Sequence, residues 1–433
     1  MLNIPQAVVR DCYGVFRRVM TKSTAARALA SVHLVSGRDG IRLRFMQPDI
    51  GIEYHHPAPT KAASMTLPMN ALADCEKNGK GTVQLQALPN GHAEVCWDQT
   101  GIPQVRNYPK RESPTTPFPA WPKRDSTNDA SLLQALEVAM QIPTGDSGRL
   151  ALNCIQLRGG KGDVVATDGR QLLIQGGFQF AWKDALLVMR TPVFTARELP
   201  QGEVVRVAKS EKDVLVRIGS WTIALRIDSM ARFPNVDSAI PSFDQVITRW
   251  SIPDEEVPAL VKLLDDLPAA KEDTAPVTLD LAKRVAIRAR AEKEQTCTEV
   301  AVPSSSVQGK AVRIATNRRF VQQALKLGFR TFQIVAPDKP IMCQGDKRLY
   351  VWVPLHPESV LAPQSQAART PLPALAKKNE SRTPAAQRSK LPERGAAPTP
   401  APTHGQGMFS GFFNCARDLW TLVRNHHREE SMK

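Results

Sequence analysis

Along the first 355 residues the apolar positions switch between two periods. In AVVRDCYGVFRRVM, DASLLQALEVAMQI and PDEEVPALVKLLDDL they recur every three or four residues, with Val8, Cys12, Val15 and Val19, or Leu133, Leu136 and Met140, on one side. That spacing predicts three helices, each with one face toward a core. After each helix, apolar and polar residues alternate on either side of a short break, in ASVHLVSGRDGIRLRF, LNCIQLRGGKGDVVAT and VTLDLAKRVAIRARA. Period-two alternation predicts strands, and the breaks, Gly-rich in the first two, predict hairpin turns.

The order then repeats. A second helix is predicted in MNALADCEKNGKG, VFTARELPQG and NRRFVQQALKLG, each ending on a Gly suited to the left-handed conformation that stops a helix. More strands follow: TVQLQA, HAEVCWD and PQVRNY; EVVRVA, DVLVRIG and TIALRI; RTFQIVA, PIMCQG and LYVWVPL. Three copies of one α+β module are therefore expected, each roughly βαβ-rich with two helices on one face of antiparallel strands. The predicted modules are residues 1–122, 127–247 and 248–355. Between the first two lies RNYPKRESPTTPFPAWPKRDSTND, whose five prolines from Asn107 to Lys123 forbid a continuous helix or central strand.

Composition changes after Leu355. Residues 356–403 are Pro, Ala, Ser, Gln and Lys/Arg with hardly an aromatic, which predicts a disordered linker. Residues 404–433 turn apolar again, with Phe409, Phe412, Phe413, Ala416, Leu419, Trp420 and Val423 at helical spacing, so a short amphipathic helix is expected there.

Charge narrows the class. The chain has 433 residues, 42% hydrophobic and 23% charged, which excludes a wholly disordered protein, and its formal net charge of +15 suits a polyanionic partner such as nucleic acid. Lys plus Arg exceed Asp plus Glu by 6 in residues 1–125, 1 in 126–250, 3 in 251–355 and 5 in the tail. Seven scattered cysteines without a CxxC pair disfavour a disulfide framework or a zinc cluster, and no apolar run is long enough to span a membrane. The N-terminus lacks a signal-peptide pattern, so a soluble cytoplasmic protein is expected.

ATDGR and RGGKGD raise the question of a carboxylate catalyst or a phosphate loop. The GxxxxGK[ST] spacing is absent and RGGKGD lies between alternating strands, so a hairpin is the better reading; Asp168 is expected to shape a turn by accepting from nearby backbone N–H groups. Three strings carry a more specific signal. VVATDGRQLLI (164–174) resembles the ATDGHRLA strand and turn of the bacterial DNA polymerase III beta subunit, the beta sliding clamp; ARFPNVDSAIP (231–241) is similar to that family's GRFPDYRRVIP; RLYVWVPL (348–355) resembles its YVVMPMRL. The resemblance covers residues 1–355, while the first module matches only in pattern, through LPMNALAD and Phe118-Pro119, and the tail lies outside it.

This resemblance implies three tandem DNA-clamp (processivity-fold) domains forming half of a ring, and a hydrophobic pocket that accepts short linear motifs of a DNA polymerase, clamp loader or repair proteins. Carried over, the pocket would use Leu152, Thr167, Gly169, Arg170, Leu172, Pro234, Ala239, Val351, Val353 and Leu355. Arg170-Gln171 and Ser238-Ala239 depart from the family's His-Arg and Arg-Val, which implies altered motif preference. A ring that slides on duplex DNA needs cations on inward helices. The candidates are Arg10, Arg17, Arg18, Lys22, Arg27, Arg149, Arg197, Arg318, Arg319 and Lys326, with Arg197 placed in the second helix of its module.

Closure would need a homodimer joining module one to module three, through an edge strand Ile102 to Asn107 that includes Val105, and a helix face of Leu260, Leu263, Leu264 and Leu267. Those leucines have a plain alternative, packing inside their own module. Gln406, Phe409, Phe412 and Phe413 match the spacing of peptides that eukaryotic clamps bind; a partner-binding or membrane-surface helix is the other reading of the tail. The function implied is a non-enzymatic sliding clamp without metal or cofactor. A clamp-derived scaffold that has lost ring closure, such as one encoded on a mobile element, is the alternative, and a nucleotide-dependent enzyme a third.

Overall fold

A computed structural model describes residues 1–20, 23–76, 81–142, 150–268, 275–291, 294, 296–363 and 368–371. The chain divides into two compact units: residues 1–240 with 342–352, and residues 241–341 with 353 onward. The candidates Lys22 and Arg149 and the tail motif Gln406, Phe409, Phe412 and Phe413 fall outside the described residues.

In the first unit the chain runs β1 (Leu2–Pro5), α1 (Gln6–Val19), α2 (Thr24–Leu29), β2 (Ser31–Gly37), β3 (Gly40–Met46), β4 (Ile50–His56), β5 (Ala63–Pro68), α3 (Asn70–Cys75), β6 (Thr82–Ala87), β7 (His92–Gln99) and β8 (Ile102–Pro109). After the Pro-rich connector come β9 (Asp125–Asn128), α4 (Ser131–Gln141), β10 (Cys154–Arg158), β11 (Asp163–Thr167), β12 (Gln171–Gln175), β13 (Ala185–Met189), β14 (Val205–Lys209), β15 (Asp213–Ile218) and β16 (Trp221–Arg226). The second unit holds β17 (Thr248–Ser251), α5 (Val257–Asp266), β18 (Pro276–Leu281), β19 (Ala286–Ala289), β20 (Thr298–Ala301), β21 (Ser306–Gly309), β22 (Val312–Asn317), α6 (Arg318–Lys326) and β23 (Thr331–Ile334). β24 (Ile341–Gly345) begins at the boundary, β25 (Arg348–Trp352) belongs to the first unit, and β26 (Ala368–Pro371) to the second.

The repeat expected from the hydrophobic pattern is visible in the strand order. One set of four recurs as β5-β2-β3-β4, β13-β10-β11-β12 and β22-β18-β19-β20; a second set begins β1-β6-β7-β8 and β9-β14-β15-β16. In the second unit β17 pairs with β23, as β1 does with β6 and β9 with β14. The strand pairs of known register among the described residues are antiparallel apart from β20 with β26, so the βαβ-rich description is corrected: successive strands are joined by hairpins rather than by helical crossovers.

Core placement follows the alternation. In the first unit the sheet β5-β2-β3-β4-β16-β15-β14-β9 buries Val32, Leu34, Leu43, Phe45, Ile52 and Ile223. Phe16 of α1 stacks on Phe45 at 5.5 Å and meets Trp221 edge-on at 6.4 Å, which fixes the helix to strands of two copies. The buried face of α1 is Val9, Cys12, Val15 and Phe16 rather than Val8 and Val19, and α4 buries Leu132, Leu133, Leu136 and Ala139 while Met140 is half-buried.

The same sheet carries a polar row. Arg44 and Arg42 hold the buried carboxylate of Glu53 at 2.7 and 3.2 Å, and Arg217 donates to Thr222 at 3.2 Å. The Pro-rich connector lies on these arginines: Phe118 is 5.7 Å from the Arg44 guanidinium, and Trp121 is 4.1 Å from that of Arg217. Trp121 also donates to Asp125 at 2.9 Å, so the connector is fastened at the start of β9.

Two expectations fail locally. VFTARELPQG makes only a 3-10 turn at Pro192–Thr195, because Thr191 caps the Val193 N–H and the chain is already extended at Ala196; Arg197 therefore sits beyond the turn, not in a helix. The linker expected from residue 356 begins with ordered backbone, a 3-10 turn at Pro357–Ser359, and contains β26, which pairs with β20. Backbone pairing requires no hydrophobic pattern, so composition hides such a strand.

Candidate functional site

The turn between β11 and β12 is built by its own polar side chains. Asp168 Oδ1 accepts from the N–H groups of Arg170 and Gln171 at 2.7 and 2.9 Å, and Oδ2 accepts from Gln171 Nε2 at 2.7 Å. Thr167 Oγ1 donates to the Gln171 carbonyl at 2.7 Å and accepts from Gly169 N–H at 3.1 Å. Gly169 has φ +88°, where a side chain would be strained. With its oxygens occupied by the turn, Asp168 is a structural acid, as its flanking residues suggested.

Arg190 fixes this turn from behind and has no counterpart among the sequence candidates. Its guanidinium donates to the carbonyls of Thr167 at 2.6 Å, of Cys154 at 3.5 Å and of Ile142. Burial pushes its pKa down to about 10, against the opposing pull of Asp168. It follows β13 with no motif around it, so nothing in its sequence context marks it.

β12 continues into β25 with Leu172 opposite Val351 and Leu173 opposite Tyr350. Tyr350 donates to Gln171 Oε1 at 2.5 Å, and burial pushes that phenol's pKa well above its usual value. Leu152, Thr167, Leu172 and Val351 are buried, while Gly169 and Arg170 are half-exposed, with Leu152 Cδ1 3.7 Å from where a Cβ on Gly169 would stand. Arg170 has no ion pair among the described residues.

The segment 231–241 is tied to the β10–β11 hairpin. Asp237, in a 3-10 turn Asp237–Ala239, accepts from Arg158 at 2.7 Å and Lys161 at 2.9 Å. Burial pushes its pKa up, but the hydrogen bonds from Lys161 and Arg158 outweigh that and hold it below the ordinary value. Pro234 and Ala239 are thereby held half-exposed in the same unit as the turn. Val353 and Leu355 belong to the second unit, where the Leu355 N–H donates to Ala315 O at 2.8 Å.

The basic residues divide into exposed ones and one that turns inward. Arg10, Arg17 and Arg197 are exposed and Arg18 is half-buried; Arg17 pairs with Glu76 at 3.0 Å, and Arg10 lies 3.7 Å from Asp11. Arg27 lies in the last turn of α2. On α6, Arg319 and Lys326 are exposed, but Arg318 turns inward, donating to Leu267 O and, at 3.4 Å, to Pro268 O. Its charge serves the carbonyl end of α5, where the helix dipole favours a cation.

The interface residues are likewise corrected in part. β8 is a sheet edge, with Ile102 and Val105 61% and 59% exposed. Leu260, Leu264 and Leu267, by contrast, are buried in the second unit's own core and Leu263 is half-buried. The amphipathic face of α5 packs on its own module.

No family model matches the chain, and no curated protein matches it. Solved structures do. The chain is similar to the DNA polymerase III beta subunit of Thermotoga maritima (15% identity, TM-score 0.67, 82% of this chain and 99% of that one), and to the DNA polymerase sliding clamp of Bacillus subtilis (14%, 0.69, 82% and 98%). A sliding clamp of Pseudomonas aeruginosa bound to griselimycin matches equally well (16%, 0.68, 82% and 99%). The chain has the sliding-clamp fold. The α+β class and the resemblance drawn from ATDGR, ARFPNVDSAIP and RLYVWVPL both stand. Among the described residues no helix is long and apolar enough to cross a membrane.

Proposed function

We propose that this protein is a DNA sliding clamp, a non-enzymatic processivity factor that encircles duplex DNA as a head-to-tail homodimer and tethers a DNA polymerase or repair factor. The observation that carries the reading is a rule of strand joints. β4, the end of one four-strand set, pairs with β16, the last strand of the next copy; β12 pairs in the same way with β25. Applied once more, the rule leaves β20 and β8 as complementary ends, so two chains of three copies would close a ring of six. Three predicted domains per chain, at 1–122, 127–247 and 248–355, are part of this proposal.

Partner binding is assigned to the half-exposed surface of Gly169, Arg170, Pro234 and Ala239, with Leu152, Thr167, Leu172 and Val351 as its support. Leu152 and the open face of Gly169 suit an apolar anchor, and Arg170, without an ion pair among the described residues, suits an acidic neighbour in the bound peptide. DNA would be held by Arg10, Arg17, Arg18, Arg27, Arg197, Arg319 and Lys326. Arg318 contributes less, since its donors are used within its own unit.

With β26 disrupted by Arg369→Pro and Thr370→Pro, nicked circular duplex should retain the protein and linearisation should release it; equal retention of that variant on both forms sinks topological linkage. Replacing Arg10, Arg17 and Arg18 together by Ala should weaken DNA binding, on the order of tenfold at low salt, and flatten the dependence of log K on log salt by up to about 0.9 for each phosphate no longer neutralised. An unchanged slope counts against this placement. A scaffold without ring closure is the second reading, and one observation favours it: β20 is already covered by β26.

A further inference from the structure

β20 is the outer strand of β22-β18-β19-β20, and an unpaired edge is a template for another strand. β26 occupies it in parallel register: Thr298, Glu299, Val300 and Ala301 stand opposite Ala368, Arg369, Thr370 and Pro371. The route of the tail to this edge follows one row of the sheet. The Leu355 N–H donates to Ala315 O on β22; the Leu361 N–H donates to the buried Thr278 Oγ1 on β18 at 2.8 Å. Ala315 is the register partner of Thr278, Thr278 of Arg288, Arg288 of Glu299, and Glu299 of Arg369.

Charge alternates along this sheet. Arg288, 4% exposed, donates to Asp280 at 2.6 Å and Glu299 at 2.7 Å, and Arg313 pairs with Asp280 at 3.0 Å. The alternation basic, acidic, basic, acidic thus ends on Glu299 at the edge, and the residue of β26 in register with it is Arg369. Reach is sufficient. Residues 361 and 368 are seven apart, about 23 Å at full extension, against about 15 Å for the three strand spacings from β18 to β26.

We propose that β26 is a strand supplied in cis that seals the β20 edge and competes there with β8 of a second copy of this chain, so that the tail controls ring closure; this rests on the ring reading above, which supplies the competitor. A tether this short gives an effective concentration in the mM range, so at micromolar protein and equal intrinsic affinity the tail wins unless something removes it. The tail is thereby a regulator of assembly, and whatever ligand draws residues 368–371 away would favour the closed form.

The test compares full-length chains by sedimentation and by amide exchange at Thr298–Ala301. Arg369→Glu places like charges in register, and Arg369→Pro with Thr370→Pro removes two of the strand's three backbone donors. Both variants should double the solution mass at micromolar concentration, and adding Val105→Lys should return it to that of one chain. In the Val105→Lys background, loss of β26 should speed exchange at β20 on the order of tenfold. Variants matching the unaltered chain in mass and in exchange overturn the proposal. If the unaltered chain is already a dimer that Val105→Lys dissociates, the ring reading stands and the competition is refuted. If β20 exchange rises on loss of β26 while every variant keeps the mass of one chain, the ring reading fails and the competition with it.

Discussion

β8 and β20 are the two strands that the joint rule leaves without a partner copy, and the chain protects them by different means. β8 is open: Ile102 and Val105 project from it, Pro103 and Pro109 reduce the donors it can offer, and it is anchored through Arg106 and Tyr108, which reach Asp74 at 2.8 and 2.6 Å. β20 is closed, backed by the ion pairs of the buried Arg288 with the half-buried Asp280 and Glu299 and covered by a strand from the tail. An edge that is polar and already paired is safe from adventitious strand addition, whereas an edge with exposed apolar residues is a surface waiting for a specific one. The difference teaches that two sheet edges of one chain need not be equally available.

The contrast breaks hardest at Arg288. Replacing it with Met leaves Glu299 without its partner and Asp280 with Arg313 alone, and removing one member of a buried ion pair costs about 3–5 kcal/mol. Denaturant unfolding of the full chain should show that loss in the transition of the second unit; a loss below about 1 kcal/mol would mean the ion pairs do not hold β20 in place. At β8 the expectation reverses. Ile102→Lys with Val105→Lys should change stability by no more than about 0.5 kcal/mol, because neither side chain is packed within the chain. A larger loss measured in the same unfolding experiment would show that β8 already packs against something, and that it is not an open edge.

Much of this fold is legible in the sequence, for reasons that also mark where legibility ends. β2 and β3 alternate because one face meets a helix layer and the other meets solvent or the connector, whereas β11, DVVAT, has four of its five residues buried. β12, QLLIQ, does not alternate: four of its five residues are buried because it is a central strand of the sheet, between β11 and β25. Glu53 is a charged residue in a buried strand position, readable only once Arg42 and Arg44 are seen on the neighbouring strand. The leucines of α5 declare an apolar face without saying what covers it, and their own module does. Arg318 reads as a surface cation because nothing local records the carbonyl end of α5 beside it. The ATDGR turn was legible down to its hydrogen bonding, since Asp, Gly and Thr act on their nearest neighbours. Arg190 holds the same turn from 23 residues beyond Thr167 and left no local sign.

The weakest tie in the candidate site should also be detectable. Asp237 joins the 231–241 segment to the β10–β11 hairpin, and its carboxyl is held below its ordinary value of 3.8. A carboxylate whose folded pKa is depressed stabilises the fold fully above the unfolded value and loses that contribution as pH falls through the folded one. Asp237→Asn should therefore cost something at pH 7, less than about 1 kcal/mol because the carboxylate is partly in solvent. The gap between the variant and the unaltered protein should then close as pH drops below about 3.8, where the unaltered side chain becomes neutral as well. Paired unfolding curves across that range check the sign. A gap that persists or widens toward about pH 3 would mean that Asp237 holds the segment by shape and neutral hydrogen bonds rather than by its charge, and Arg158 and Lys161 would then be dispensable for positioning Pro234 and Ala239.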